Sequence, residues 1–582
     1  MLYGFIRALK YPKELYLSTK YMFNQRVSST KEHIKLSADW LLRIQNGDGG
    51  YSRKFSLIGG WDKSYIETTG YIIPTLFEVA EYLEEDRYKK SALKAGEWLL
   101  SVQNDDGSFS EIDTGKPFVF DTGQVLLGLN RLYKETADKR FFEAAKKASC
   151  WLMEQQESDG SWQKAAYNTQ KHTYYSRVAA AMYEYAVMAD DEAVKKSALK
   201  HIEWVLSNQR ENGFFRYASF DIRIPAYLHT IVYTLEGLLD IYALTKQKTI
   251  LDAVLKMGET LKKINLTREK VLCSQYNESF ECINPEKCIT GLAQWAGVAL
   301  RLHAVTGDES YRFVAVTTLF YLKSKQIREG GILKGALSAS IPFWGRYGAF
   351  DFVNWNNKFF CDSLMLLHDT TPSYEQEMWS RLSFMFHEGV VTKKLTKTDR
   401  AYIKNFDTFF SNYREKHFVL LDLGCGRGKF LDYFRSNYPQ WSVIGVDPVF
   451  EDETANILCG SAYSIPLEDR NVDIVFVAEV LQHTYIDDAF KEIRRVLKKG
   501  GLIVIGERNP FSILGFLKPF FELSGRWMYR WDDPFKERWY SVGQWKKMLE
   551  RHGFETKEIV PIEGSGRKFV NRYFFVIGRK CR

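Results

Sequence analysis

At 582 residues the chain is too long for a single hydrophobic core, so two or three domains are expected. Its 45% hydrophobic and 26% charged residues are ordinary for a water-soluble globular chain, and a net charge of +8 without a dense Lys/Arg block argues against nucleic acid as a partner. No apolar run reaches the roughly 18 residues of a transmembrane helix, and MLYGFIRALKYPKEL turns charged too soon for a secretory leader, so a cytoplasmic protein is expected.

From about Thr30 to Asp369 the chain repeats itself. The unit is an apolar helix ending in Gln, followed by a polar turn with Gly and an aromatic: WLLRIQNGDGGYS, WLLSVQNDDGSFS, WLMEQQESDGSWQ and WVLSNQRENGFF. Gln45, Gln103, Gln156 and Gln209 stand 58, 53 and 53 residues apart, and YLKSKQIREGGI places Gln326 a further 117 on, with a degenerate copy near Leu261 between. A period of this length holds two helices and two turns. The intervening segments, such as TTGYIIPTLFEVAEYL and TGQVLLGLNRLYKE, carry apolar residues at helical spacing. A first helix near Leu36 and a last one in WNNKFFCDSLMLLH lack partners and would pair if the array closed into a ring.

KAGEWLLSVQNDDGSF and KASCWLMEQQESDGSW resemble the QW repeats of terpenoid cyclases and protein prenyltransferase-like toroids. The resemblance implies an all-α (α/α)6 toroid over residues 1–370. In such turns Asp and Gly shape the bend, while Gln and the aromatic tie neighbouring repeats. No DxDD motif, no convincing Asp/Cys/His zinc set and no GCGEQ thioester is present, so the chemistries of those families are not expected here. Cys273, Cys282 and Cys288 lie close together but without a CxxC pair, and no metal is assigned; the eight cysteines do not suggest a disulfide framework, and Cys425 and Cys459 read as reduced thiols. Residues 371–415, including KKLTKTDR, read as a linker with docking helices.

From about Lys416 short β-like runs (HFVLLDL, WSVIGVD, ANILCG, VDIVFVAEV, GLIVIGER) alternate with helices, which implies a Rossmann-like α/β domain over 416–582 with a mainly parallel, seven-stranded sheet. VLLDLGCGRGKFLDYF reads as a strand ending at Asp422, a turn through Gly424, Gly426 and Gly428, and a helix starting near Lys429. Asp447 closes the next strand, placed to hold a ribose diol. DLGCGRG, followed by CGSAYSIPLEDRNVDIVFVAEVLQHTYIDDAFKEIRRVLKKGGLIVIGE, resembles class I methyltransferases of the methyltransferase-11 type. The resemblance implies S-adenosylmethionine as cofactor. Gly424, Cys425 and Gly426 would approach its methionine part and Asp422 its amino group. Asp447 would hold the ribose, Ser461 and Ala462 would flank the adenine, and Glu479 and His483 would stand at the pocket mouth. Ser461 replaces an Asp common in that family, which puts the adenine N6 contact in question.

His483 is the sequence's best candidate for a catalytic base toward a hydroxyl acceptor. The aromatic stretch 509–541, with Arg526, Arg530 and Arg538, reads as an acceptor lid, and its PFSILGFLKPFF as a possible peripheral membrane contact. In the toroid, polar residues gather where the second helix set begins: Trp61, Asp62 and Glu67; Asp121, Thr122 and Gln124; His172, Tyr174, Tyr175 and Arg177; His229; Gln294; Asn354, Trp355, Asn357 and Lys358. Among these His172, Tyr175 and His229 are the candidates for chemistry, because His, Tyr, Arg and Trp together suit a polysaccharide. The expected function is methylation, on oxygen, of a glycan or lipid-linked acceptor presented or processed by the toroid. A lipid or isoprenoid acceptor and a non-catalytic glycan-binding protein stay open as alternatives; the intact glycine turn and Asp447 argue against the last.

Overall fold

The structure, a computed structural model, describes residues 2–22, 28–267, 271–367, 395, 397–447, 452–481, 484, 486–508, 540–562 and 573–581. The chain forms two compact units, one up to residue 368 and one beginning at 369.

In the first unit two short helices, α1 (Leu2–Ala8) and α2 (Pro12–Met22), precede six helical hairpins. The outer helices are α3 (Thr30–Arg43), α5 (Asp86–Val102), α7 (Lys139–Glu154), α9 (Glu192–Ser207), α11 (Lys248–Thr267) and α13 (Glu309–Lys325). The inner helices are α4 (Ile66–Leu83), α6 (Val119–Thr136), α8 (Ser176–Ala189), α10 (Leu228–Thr245), α12 (Ile289–Thr306) and α14 (Asn354–Leu366). Each inner helix packs on the next, and α14 packs on both α3 and α4, closing the ring. Asn354 seals that joint by donating to Ser52 O at 2.9 Å and Thr68 Oγ1 at 2.7 Å. The outer helices other than α13 are amphipathic, whereas α13 and the inner helices bury residues nearly all round, as expected of helices packed from both sides.

Turns from inner to outer helix are brief and alike. A left-handed residue (Glu84, Ala137, Asp190, Lys246 or Gly307) ends the inner helix, and in three of the hairpins an Asp N-cap (Asp138, Asp191, Asp308) starts the outer one. The longer loops therefore collect at the opposite end of the ring, where the inner helices begin.

Those long loops open with the repeated Gln turn, and the structure explains the repeat. Gln45 Nε2 donates to Gly49 O in its own turn and to Ser91 O on α5; Gln103 does the same to Gly107 O and Ala144 O on α7. Gln156 reaches Ser197 O on α9, and Gln209 reaches Ala253 O on α11. Gln326 donates to Ser37 Oγ and His33 O on α3, so the last copy is tied to the first helix. The turn Asp caps its own loop: Asp106 Oδ1 accepts from Ser108 N at 2.9 Å. Gly107 sits at φ 93°, with a would-be Cβ only 2.4 Å from Lys147 O, so any side chain would push the next helix away. One correction concerns the cysteines: a short hairpin (Gln275–Tyr276 against Cys282–Asn284) folds Cys282 back beside Cys273, and the two form a disulfide.

The second unit is a seven-stranded sheet. Its strands are β1 (Val419–Leu423), β2 (Ser442–Asp447), β3 (Ile457–Cys459), β4 (Val472–Ala478), β5 (Leu497–Arg508), β6 (Phe554–Ile562) and β7 (Tyr573–Lys580), in the spatial order β3-β2-β1-β4-β5-β7-β6. The first five pair in parallel, and β7 joins β5 and β6 antiparallel. Alternate side chains feed two cores. Leu421, Val475, Val477 and Ile503 pack with α17 (Ile486–Val496) and α18 (Val542–Arg551). Leu420, Ile474, Phe476 and Val504 pack with α15 (Lys397–Phe410) and α16 (Lys429–Asn437). Burial on both faces is why these strands read as near-continuous apolar runs. The helix α15, from the stretch read as a linker, buries Tyr402, Phe406 and Phe410 in the second of these cores. Among the described residues no helix is long and apolar enough to cross a membrane.

Candidate functional site

The strand order reverses between β1 and β4, and at such a switch point the carboxyl ends of parallel strands part to leave a crevice. Asp422 lies level with Gly445 of β2 and Phe476 of β4, so the residues just beyond (Gly424, Asp447 and Glu479) share one edge of the sheet. Gly424, Gly426 and Gly428 have φ of 77°, 55° and 82°. At Gly424 a Cβ would lie 2.3 Å from Val480 Cγ2, so the turn accepts no side chain there. The turn is pinned to β2 by Gly424 N–H donating to Val446 O at 2.7 Å. Two residues on, Gly426 N–H donates to Asp447 Oδ2 at 2.8 Å, which fixes the carboxylate at the turn.

Asp422 is the anomaly of the site. It is buried, and its Oδ2 has no hydrogen-bond partner. Burial pushes its carboxyl up to about 8, the Asp447 charge adds to the shift, and Lys429 opposes it. Lys429 is itself held by Asp399 at 2.8 Å. Cys425 is buried, and its thiol is pushed up by desolvation and then by Asp422 and Asp447, so it is no nucleophile. Ser461 is buried and spends its Oγ accepting from Tyr463 N at 3.1 Å, with Ala462 buried beside it. Glu479 follows β4 with a left-handed φ of 58°, anchored by its N–H to Gly506 O at 2.8 Å. Tyr402 Oη stands 3.4 Å from Glu479 Oε1; this α15 residue was missed in the sequence because nothing in its pattern separates it from a core aromatic. His483 and residues 509–539 lie outside the described residues.

These residues fit S-adenosylmethionine. A buried acceptor oxygen without a partner can take a cationic donor, the glycines of the turn admit close approach of a ligand, and a carboxylate at the neighbouring strand tip can take a diol. The unit is thus a Rossmann-like methyltransferase domain, set on the same chain as a closed helical toroid. Residues 421–505 match the family described as methyltransferase domain. Residues 16–117 match the prenyltransferase alpha-alpha toroid domain, and 113–248 the squalene-hopene cyclase C-terminal domain.

An uncharacterized methyltransferase-like protein of Schizosaccharomyces pombe is 32% identical over 144 residues, 23% of this chain and 54% of that protein; the chain spans about half the length of that relative. A 1,6-didemethyltoxoflavin-N1-methyltransferase of Burkholderia thailandensis, solved with bound S-adenosylhomocysteine, covers 37% of this chain and 92% of its own at 16% identity and TM-score 0.27. Cellobiose 2-epimerase of Bacillus thermoamylovorans covers 58% and 98% at 13% identity and TM-score 0.48.

In the toroid the candidates from sequence are hydrogen-bonded to neighbouring loops and helices. His172 spans two loops, with Nδ1 3.0 Å from Ser219 O and Nε2 3.1 Å from Tyr167 O, and Tyr175 Oη accepts from Tyr167 N–H. His229 donates from Nδ1 to Gln294 Oε1 at 2.6 Å; burial, and then Arg177, lower its pKa to about 3, so it stays neutral. Gln294 Nε2 donates to Glu236 Oε2, which also takes Arg177, and Arg177 Nε donates to Gln124 Oε1 at 3.1 Å. One buried polar chain thus binds α6, α8, α10 and α12. Glu236, its central anion, sits mid-helix in LHTIVYTLEGLLDIYAL and offered no signal beyond a charge on an apolar face.

Beside this chain lies a second polar group, which sequence reading left out of the catalytic set. Tyr167 Oη donates to Asp121 Oδ1, and Tyr65 hydrogen-bonds to Glu67. Burial raises the Glu67 carboxyl to about 7 and holds Asp121 well above the usual carboxylate range, where the Glu67 charge reinforces the shift.

Proposed function

We propose that the chain is an S-adenosylmethionine-dependent methyltransferase acting on an oxygen of a glycan or lipid-linked sugar held by its toroid. The carrying observation is Asp422, a buried carboxyl with an unpartnered oxygen at the tip of β1, next to a glycine-rich turn and Asp447. A buried acceptor left without a partner costs about 1–3 kcal/mol, and a bound ammonium group removes that cost. Asp447 takes the ribose hydroxyls, Gly424 to Gly426 face the methionine part, and Ser461 and Ala462 flank the base. When bound, the cofactor supplies an electrophilic methyl group on sulfur.

What the chain's own residues add is placement of the acceptor in line and exclusion of water. His483, four residues beyond Glu479 in the sequence, is proposed as the group that accepts the acceptor's proton. The glycan reading is supported by the mixture of aromatic rings and hydrogen-bonding groups where the toroid's inner helices begin. The test is incubation of the full chain with methyl-labelled S-adenosylmethionine and neutral oligosaccharides or polyprenyl-linked sugars. An acid-stable methyl ether on the sugar supports the proposal. Label in the lipid alone selects the isoprenoid alternative, and absence of cofactor binding selects the non-catalytic one.

A further inference from the structure

We propose that α1 and the adjoining loop tip at Trp61 form a membrane-surface contact of the toroid. Tyr3, Ile6, Leu9 and Trp61 enter the headgroup layer of an anionic bilayer, and Arg7, Lys10 and Lys63 pair with its phosphates. The contact is separate from the PFSILGFLKPFF stretch and from the cofactor crevice, and it does not rest on the acceptor reading above.

One side of α1 is already filled. Ala8 is buried, a Cβ on Gly4 would lie 2.5 Å from the Phe350 ring, and the Phe5 ring stands 5.1 Å from Phe350 and 5.4 Å from Trp344. At helical spacing these positions share one face. Tyr3 and Ile6 fall on the other, with Leu9 just past the helix end, and the three are 71%, 56% and 63% exposed. Turning the helix to cover them would uncover Phe5. The charges around this apolar stripe are of one sign. From Leu2 to Lys13 there is no Asp or Glu, and Glu14 is buried. Arg7 lies over the Tyr3 ring at 5.8 Å, and Lys10 over the Tyr11 ring at 5.6 Å. Tyr11 packs on Phe55 at 5.1 Å and Phe55 on Trp61 at 5.0 Å, so the stripe continues to Trp61, which is 42% exposed. Beside it Lys63 is exposed, while Asp62 is neutralised by Arg53 at 2.9 Å. Among the described residues none of Arg7, Lys10 and Lys63 is in an ion pair.

Two features choose a bilayer over a protein partner. Side chains more than half exposed on a short helix protrude instead of lining a groove, and a fluid surface moulds to them. Tyr, Trp, Ile and Leu set among Arg and Lys make an element that lies in the interface of an anionic membrane, rings at headgroup depth and cations at the phosphates. The apolar contact is also not confined to α1. Phe55, Phe343 and Phe350, on which α1 and Tyr11 rest, belong to the long loops at the end of the ring where the inner helices begin. The loops before α10 and α12 expose Ile222 and Ile283 at that same end. Apolar points offered by several loops on one end of the ring suit a sheet of lipid.

The experiment is co-sedimentation of the full chain with vesicles of equimolar phosphatidylcholine and phosphatidylglycerol, and with vesicles of phosphatidylcholine alone, at low and high salt. It is repeated for the double variants Ile6→Ser with Leu9→Ser and Arg7→Gln with Lys10→Gln. A control is Leu244→Ser, at an exposed apolar residue on the opposite end of the ring. The expected result is binding to the anionic vesicles that falls with salt. The apolar pair should weaken it about tenfold or more, each cation removed about fivefold, and Leu244→Ser should leave it unchanged. The substituted side chains are solvent-exposed, so the melting temperature and S-adenosylmethionine affinity should be retained in every variant. Failure to bind anionic vesicles, or binding undiminished by either double variant, overturns the proposal. Self-association of the chain that the apolar pair abolishes, without vesicle binding, assigns the stripe to a second copy and overturns it as well.

Discussion

Asp422 should give a proton-release signature when the cofactor binds. Burial disfavours the charge and pushes its carboxyl up to about 8. At pH 7 such a group is about nine-tenths protonated. Pairing with a cationic ammonium favours the ionised form, so binding should expel about 0.9 proton at pH 7, and affinity should rise up to about tenfold per pH unit as pH approaches 8. Above that pH the ligand's own amino group, with an ordinary value of about 8, begins to lose its charge, and the gain should end. Calorimetry of the full chain in two buffers of different ionisation enthalpy measures the protons directly. Asp422→Asn should bind more weakly and release none. Equal proton release by wild type and variant, or none by wild type, would refute the reasoning. The same shift acts on stability. Between about pH 4 and 8 the folded chain keeps a proton that the unfolded chain has lost. Stability of this unit should therefore fall as pH rises through that window, by at most about 1.4 kcal/mol per unit, and the slope should flatten in Asp422→Asn.

Asp447→Ala should lower cofactor affinity by tenfold or more, through loss of about 1.5–3 kcal/mol of charge-assisted hydrogen bonding, while the thermal transition of the toroid stays in place; calorimetry and scanning fluorimetry read the two. Gly424→Ala should abolish cofactor binding, because its Cβ would meet Val480 and its φ of 77° is strained for alanine; an unaltered dissociation constant contradicts this. Gln326→Ala should destabilise the toroid by about 1–3 kcal/mol by leaving the buried His33 Nδ1 without its acceptor and removing the ties to Ser37 Oγ and His33 O, without changing cofactor affinity, as followed by urea unfolding and calorimetry. His483→Ala should slow turnover with cofactor affinity retained, and an unchanged rate in the labelled-methyl assay demotes His483 from base to packing.

The parts of the fold legible in the sequence are those where one residue type has one physical task repeated along the chain. Gln at the end of the outer helices other than α11, with Gly four residues later, recurs because each turn must touch the next helix, and Gln326 marks closure for the same reason. The glycine turn and Asp447 were legible because a strand tip approaching a ligand tolerates few alternatives. What stayed hidden was set by tertiary proximity. Tyr167 meets Asp121 across 46 positions, Glu236 meets Arg177 across 59, and neither pairing leaves a periodic trace. Cys273 and Cys282 could not be paired from spacing alone, since the hairpin that joins them lies in the most degenerate repeat. A helix was expected in the 371–415 stretch, but the charged start of α15 at Lys397, Asp399 and Arg400 gave no sign of how deeply Phe406 and Phe410 enter the core.

The most direct measurement is a crystal structure of the full chain grown with S-adenosylhomocysteine. The account places the ligand's amino group against Asp422 Oδ2 and its ribose against Asp447, with the turn at Gly424 unmoved. Ligand density elsewhere, or a filled crevice in which Asp422 Oδ2 pairs with the protein's own donor, would contradict it.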